Sequence, residues 1–370
     1  MSPGAGAGGV RSAGAFPALR TREPRPRVTA AGGTARGTRR AARGRPPGLR
    51  PRPLGENMVT DQLREIVRRY PLVRFAARRL RVRLPRSMGG LDADRVAPWI
   101  RAFTLALPEG GDGGPRELEL HLPGYLTVPR RLAAHGLAGH GPDGLACFLA
   151  ALDLPRPGAV LDVGSGVGVY AMLAAARSRR PVFAFEPTPE IAVAARSAAE
   201  ATGLGFTVVE AALSNHNGSA YLRRARHNDM CNTIERPRRH DLSGTTVRAA
   251  ALSRWCESAA CSPAVVKIDT AGTEPDVVAG GLEVLRRFRP WLLVKVRPGR
   301  GLEERLMALL DPLEYTWYAV GGRPPYPAHR EIAARESPAW ERTWLFAPEP
   351  AGEDFWAAAR TWRGALAACT

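Results

Sequence analysis

The stretch "VLDVGSGVGVY", residues 160–170, decides the fold of this chain. A short apolar run ends at Asp162, glycines follow at Gly164, Gly166 and Gly168, and an apolar segment continues after them. Glycines at a strand-to-helix turn allow a ligand to approach the backbone closely. The stretch therefore predicts the first strand, turn and helix of an α/β domain that binds a ligand at the turn.

Apolar runs continue beyond this turn in alternation with helical patterns. The predicted strands are "AVLDV", "PVFAFE", "FTVVEAAL", "AVVKID", "PWLLVKV", "YTWYAV" and "RTWLFA". Helical patterns follow most of the first five, which is the rhythm of βαβ units. We therefore expect an α/β fold with a Rossmann-like, doubly wound and mostly parallel sheet. The expected main domain covers residues 142–350, and residues 351–370 are expected to form a C-terminal helix.

The N-terminal part divides into two segments. Residues 1–57 contain twelve arginines and two acids, with no periodic apolar pattern. Three interpretations stay open for them: a disordered tail, a targeting segment, or sequence upstream of a start at Met58, with the first and last favoured. Residues 58–141 predict a helical and strand extension. It begins with two helices separated at Pro71, the first capped by Thr60, and continues with a strand in "RELELHLPGYLTVP".

Composition bears on the partners of the protein. The net charge is +18, yet lysine occurs only at Lys267 and Lys295, a bias that we attribute to the coding sequence. No basic segment alternates with aromatic residues, so we expect no nucleic-acid partner. No apolar run approaches the roughly 20 residues of a membrane helix. Five cysteines without a C-x-x-C motif favour a reduced, cytoplasmic protein, and no spacing is typical of a metal site.

The acids beside the glycine turn indicate which ligand binds there. Counted from Gly164, the sixth position is Val169, so the spacing departs from the dinucleotide fingerprint G-x-G-x-x-G/A. Asp162 would repel a pyrophosphate but suits an ammonium or sulfonium group. Glu186, at the end of the second strand, can accept hydrogen bonds from both hydroxyls of a ribose. These features predict an S-adenosylmethionine site that also includes Ser165, Gly166, Gly168, Pro187 and, beside the adenine, Ala212.

Four segments in this order carry a family resemblance: "FEPTPE", "AALSNHNGSAYL", "VVKIDTAGTEPDVVAGG" and "RPWLLVKV". They resemble the FkbM-type methyltransferases over residues 142–320, roughly. The resemblance implies a class I methyltransferase domain that uses S-adenosylmethionine to methylate a hydroxyl of a sugar or secondary metabolite. The positions that match the family are Asp162, Gly164, Gly168, Glu186, Pro187, Lys267, Ile268, Asp269, Gly272 and Glu274.

Two departures from the family pattern change the expected charge. Its fourth-strand motif usually reads Lys-Ile-Asp-Val-Glu-Gly-Ala-Glu, and here Ala271 stands in place of the first glutamate. Lys295 stands on the fifth strand where the family usually has a glutamate. A non-catalytic protein that binds the cofactor or a metabolite with the same fold is therefore the alternative to a methyltransferase of a small-molecule acceptor.

Three residues are candidates for catalysis. Asp269 is the first candidate for a general base, because a parallel strand delivers it to the expected ligand crevice. His227 is the second, since the ordinary pKa of histidine suits proton transfer. Glu274 is the third, although an acid in a first helical turn is equally explained by the helix dipole. Thr273 is better placed than Asp269 to cap that helix.

Overall fold

The computed structural model describes residues 56–81, 84, 100–108, 116–225, 228–235, 244–297, 301–332 and 342–370. The helices are α1 (Glu56–Arg69), α2 (Pro71–Arg81), α3 (Thr127–His135), α4 (Pro142–Asp153), α5 (Val169–Arg177), α6 (Pro189–Thr202), α7 (Leu252–Ser258), α8 (Glu274–Phe288), α9 (Leu302–Leu310) and α10 (Glu353–Ala367). The strands are β1 (Ile100–Leu107), β2 (Arg116–Pro123), β3 (Ala159–Val163), β4 (Val182–Phe185), β5 (Thr207–Val209), β6 (Ala212–Ser214), β7 (Gly218–Arg223), β8 (Thr233–Glu235), β9 (Gly244–Ala251), β10 (Pro263–Ile268), β11 (Trp291–Val296), β12 (Thr316–Ala319), β13 (Ala328–His329) and β14 (Arg342–Ala347).

The largest sheet has the strand order β13-β12-β14-β11-β10-β3-β4-β5. Strands β11, β10, β3, β4 and β5 pair in parallel, and β14 is inserted antiparallel between β11 and β12. This arrangement confirms the predicted doubly wound, mostly parallel sheet. The strand order reverses between β3 and β10, and ligands of open α/β sheets bind at the carboxyl ends of the strands on either side of such a reversal.

Both faces of this sheet are covered by helices because its central strands are apolar on both sides. All five residues of β3 and all six of β10 are buried. Val160 packs in the apolar cluster of α4, α5, α6 and α10, whereas Leu161 packs in that of α7, α8 and α9. The same alternation directs Asp162, Lys267 and Lys295 to the first of these faces, since their strand neighbours all pack on the second.

A second sheet corrects one strand prediction. "FTVVEAAL" was expected to form one strand, but the chain turns at residues 210–211 and forms two. Strand β5 is the edge of the large sheet, whereas β6 belongs to a four-stranded sheet of order β6-β9-β7-β8. The alternating residues Ala220 and Leu222 of β7 lie beside Val247 and Ala249 of the neighbouring β9 in one buried apolar cluster. The polar segment 223–235 begins in β7 and ends in β8.

The terminal segments mostly follow the sequence patterns. Helix α1 ends at Arg69 and α2 begins at Pro71, as predicted. Thr60 lies inside α1, because the helix begins at Glu56, so the predicted cap is wrong. The C-terminal α10 packs on α4, where the indole Nε1–H of Trp362 donates to Asp153 at 2.7 Å. None of the described helices has the length and apolar character to cross a membrane.

Candidate functional site

An open cavity of about 980 Å³ lies at the carboxyl ends of β3, β4 and β10. The glycine turn after β3 and residues 185–188 after β4 form one side, and residues 211–213 and 269–271 form others. The cavity therefore lies where the reversal of strand order predicts a ligand.

The glycine turn is held close to the end of β10. Gly164 has φ +69°, and a Cβ atom there would lie 1.9 Å from the carbonyl oxygen of Asp269. By contrast, a Cβ on Gly166 would meet no atom within 4 Å, which leaves open space above the turn. The hydroxyl of Ser165 lines the cavity and is buried without a hydrogen-bond partner among the described residues. The turn therefore offers an unsatisfied polar group and room for a ligand.

Glu186 brings a buried carboxylate to the same cavity. Its Oε2 accepts a hydrogen bond from the N–H of Gly166 at 3.0 Å, and its Oε1 accepts one from the N–H of Thr188 at 2.7 Å. Burial raises the pKa of Glu186 to about 7, and these hydrogen bonds oppose the rise. Each carboxylate oxygen keeps further acceptor capacity, so the group can still receive hydrogen bonds from a diol.

Asp162 lies behind the glycine turn and not in the cavity. Its side chain is fully buried, with Oδ1 2.9 Å from Nζ of Lys267 and Oδ2 accepting the N–H of Ala171 at 3.2 Å. The lysine ammonium also donates to the carbonyl of Gly164 at 2.7 Å. The structure therefore places Asp162 against the buried Lys267 and not among the residues that line the cavity, so its predicted contact with the ligand stays a prediction. The Asp162–Lys267 pair therefore holds the glycine turn in place from the side opposite the cavity.

Asp269 lies at the end of β10 and lines the cavity, as the sequence predicted. It pairs with Lys295, whose Nζ is 3.2 Å from Oδ2, and the two side chains are 26% and 28% exposed respectively. Burial alone would raise the pKa of Asp269, but the charges of Lys295 and Lys267 outweigh it and hold the pKa below its ordinary value. Asp269 is thus an ionised group at neutral pH and does not cap α8.

Glu274 does not line the cavity. It is buried at the start of α8, where its carboxylate accepts the N–H groups of Thr270 at 2.8 Å and of Gly272 at 3.0 Å. Burial raises the pKa of Glu274. The carboxylate therefore closes the loop after β10, and its predicted catalytic role is corrected to a structural one. Thr273 occupies the predicted N-cap position, although its side chain makes no capping hydrogen bond.

The remaining predicted residues differ in their positions. Pro187 and Ala212 line the cavity, whereas Gly168 lies just outside it at the N-cap of α5 with φ +88°. His227 lies outside the described residues. Asp229, in the same loop, lines the cavity, but its carboxylate accepts the backbone N–H of Thr127 at 3.0 Å and thereby joins the loop to α3.

A second cavity of about 650 Å³ adjoins the first, and the two share the side chains of His140, Tyr170, Lys267 and Asp269. Desolvation, with the charges of Lys295 and Lys267, lowers the pKa of His140 to about 4, so its imidazole is neutral at pH 7. The sequence analysis missed His140, which precedes α4 in a loop with no motif. We will call these spaces the first and the second cavity.

The residues of the first cavity fit an adenosyl ligand. The carboxylate of Glu186 suits a vicinal diol, the orphaned hydroxyl of Ser165 can bind a polar substituent, and Pro187 and Ala212 supply apolar walls for a base. Across the described ranges, no cluster of three or more His, Cys, Asp or Glu side chains could hold a metal ion.

No protein-family model matches this sequence, and no curated protein matches it. Solved structures show similarity at low identity. Methyltransferase FkbM from Methylobacillus flagellatus KT has a TM-score of 0.35 and 12% identity, and the match covers 51% of this chain and 43% of that one. A SAM-dependent methyltransferase from Agrobacterium tumefaciens has 0.36 and 10%, covering 66% and 77%. The magnesium protoporphyrin IX methyltransferase ChlM from Synechocystis PCC 6803, solved with bound SAM, has 0.33 and 13%, covering 60% and 83%.

Proposed function

We propose that this protein is an S-adenosylmethionine-dependent methyltransferase that acts on a hydroxyl of a sugar or secondary metabolite. One observation carries the proposal. Glu186 at the tip of β4 and the glycine turn at the tip of β3 line a single cavity, and Asp269 at the tip of β10 faces the same space. These are the positions from which a doubly wound sheet binds a nucleoside and presents a reactive centre.

The first cavity would hold the cofactor. Glu186 accepts hydrogen bonds from the ribose hydroxyls, Ser165 binds a polar group near the turn, and Pro187 and Ala212 border the adenine. When bound, S-adenosylmethionine supplies a methyl group on a cationic sulfonium. The protein gains most of its rate by holding the acceptor oxygen in line with that group.

Asp269 and His140 would serve the acceptor hydroxyl. Both side chains lie where the two cavities meet. The ionised Asp269 can accept a hydrogen bond from the hydroxyl and fix its orientation, while its lowered pKa makes it a weak base. The neutral imidazole of His140 can accept a second hydrogen bond from the hydroxyl, although its pKa of about 4 makes it a weak base as well.

The alternative is a protein that binds the cofactor or a metabolite without catalysis. Its support is local: Lys295 neutralises Asp269, and Ala271 offers no second acid beside it. Transfer of labelled methyl groups to any acceptor would exclude this alternative.

Binding of S-adenosylhomocysteine to the full chain, measured by calorimetry, tests the proposal. We expect wild type and Asp269→Asn to bind it with similar affinity, since Asp269 serves the acceptor. Glu186→Ala should bind it at least tenfold more weakly, because a buried acceptor is lost. A folded wild-type protein that fails to bind would refute the proposal.

The proposed organisation follows the sequence: residues 142–350 form the methyltransferase domain, 58–141 an extension and 351–370 a terminal helix. We also propose a cytoplasmic protein, because all five cysteines are free.

A further inference from the structure

The second cavity collects positive charge. Arg131, Lys267 and Lys295 line it, and Asp269 is the one acidic residue among its described lining residues. The whole chain contains two lysines, and both lie here. Each lysine is paired with an aspartate, so the unpaired positive charge among these lining residues is that of Arg131.

These three cations differ in the ion pairs and hydrogen bonds that they make within the protein. Lys267 is buried between Asp162 and the carbonyl of Gly164, so its charge and donors serve the glycine turn. Lys295 pairs with Asp269, with Nζ 3.2 Å from Oδ2, and lines the cavity beside it. Arg131 is exposed on α3 and makes no hydrogen bond or ion pair with any other described residue. One guanidinium at the cavity is therefore uncompensated.

The pKa of His140 responds to the electrostatic potential of these groups. Burial is the largest cause of its lowered pKa, and Lys295, Lys267 and Arg131 lower it further, whereas Asp269 opposes them. Burial penalises an ion of either sign, whereas the charges of Lys295, Lys267 and Arg131 make the potential at the imidazole more positive and so favour an anionic group beside them.

We propose that the second cavity binds the acceptor and that the acceptor carries an acidic group, a carboxylate or a phosphate, held by Arg131 and Lys295. This inference rests on the proposed methyl transfer and defines its acceptor class. The planar guanidinium of Arg131 can bind two anionic oxygens at once. The hydroxyl to be methylated then lies toward Asp269 and His140, where the two cavities meet.

Calorimetric titration of the full chain with three matched probes tests the inference: glucose, glucuronate and glucose 6-phosphate. We expect at least one acid to bind tenfold or more tightly than glucose, and the two acids separate a carboxylate from a phosphate preference. Arg131→Ala should lose about tenfold for that acid, whereas Arg131→Lys keeps part of it. Arg130→Ala is the control, since Arg130 is also exposed on α3 but does not line the cavity.

The outcomes separate the two proposals. The proposal of an acidic acceptor is overturned if neither acid binds more tightly than glucose. It is also overturned if Arg130→Ala and Arg131→Ala lose the same affinity for the acid. That result would leave the proposed binding of S-adenosylhomocysteine unaffected, because Arg131 does not line the first cavity. Conversely, a wild-type protein that prefers the acid to glucose but does not bind S-adenosylhomocysteine overturns the proposed methyltransferase. Only an anion-binding site would then remain.

Discussion

Replacement of Asp162 by asparagine removes the negative charge of the most deeply buried ion pair at the site. The side chains of Asp162 and Lys267 are 0% and 8% exposed, and their charged atoms are 2.9 Å apart. Loss of one partner of such a pair leaves an uncompensated buried charge, which costs about 3–5 kcal/mol. For a unit of roughly 300 residues, each kcal/mol lowers Tm by about 1.5 °C, so we expect a decrease of about 5–8 °C.

Urea denaturation followed by the fluorescence of the eight tryptophans measures the free energy of unfolding. The matched control is Glu210→Gln, because Glu210 pairs with Arg196 at 2.7 Å with both side chains 39% exposed. A pair so exposed contributes about 0.2–1 kcal/mol. The double variant Asp162→Asn, Lys267→Met should be less destabilised than the sum of its single variants by about 2 kcal/mol.

Two results would contradict this reasoning. A cost of Asp162→Asn no greater than that of Glu210→Gln would show that the pair is not buried as described. A folded Asp162→Asn variant that loses all affinity for S-adenosylhomocysteine, while Lys267→Met retains it, would show that Asp162 touches the ligand, as the sequence alone predicted. We expect it to retain most of its affinity, because the carboxylate lies behind the turn.

Three further predictions concern the loops around the first cavity. Gly164→Ala should lower the unfolding free energy by at least 3 kcal/mol, because its Cβ would meet the carbonyl of Asp269. Gly166→Ala should lower it by about 1–2 kcal/mol, for its φ of +56° alone. Chemical denaturation of both variants checks this ranking. Because Glu186 has a raised pKa of about 7, S-adenosylhomocysteine affinity should rise from pH 6 to 8. The stability that its protonation adds to the ligand-free protein is fully present below about pH 4.5 and is lost as the pH rises through about 7. Glu186→Gln should flatten both profiles. Ala271 has φ +59°, so Ala271→Gly should raise the unfolding free energy by about 0.5–1 kcal/mol, and a decrease would show that the strain is absent.

The sequence by itself determined the elements whose signals are local. The apolar run, Asp162 and three glycines fixed a strand, a turn and a helix, and Pro71 fixed the break between α1 and α2. Glu186 was placed at the cavity because it directly follows a strand. These inferences hold because backbone conformation and the alternation of faces depend on neighbours a few residues apart.

The tertiary structure decided which of these residues meet. Strand register places Lys267 opposite Asp162, and the two side chains pair behind the glycine turn. The chain leaves the large sheet within "FTVVEAAL" because β6 finds its partner in β9, about 35 residues further along. Arg131 and His140 reach the second cavity from α3 and the loop after it, far in sequence from Asp269. Contacts across such separations depend on the packing of the whole sheet and its helices, so no local pattern of residues could have revealed them.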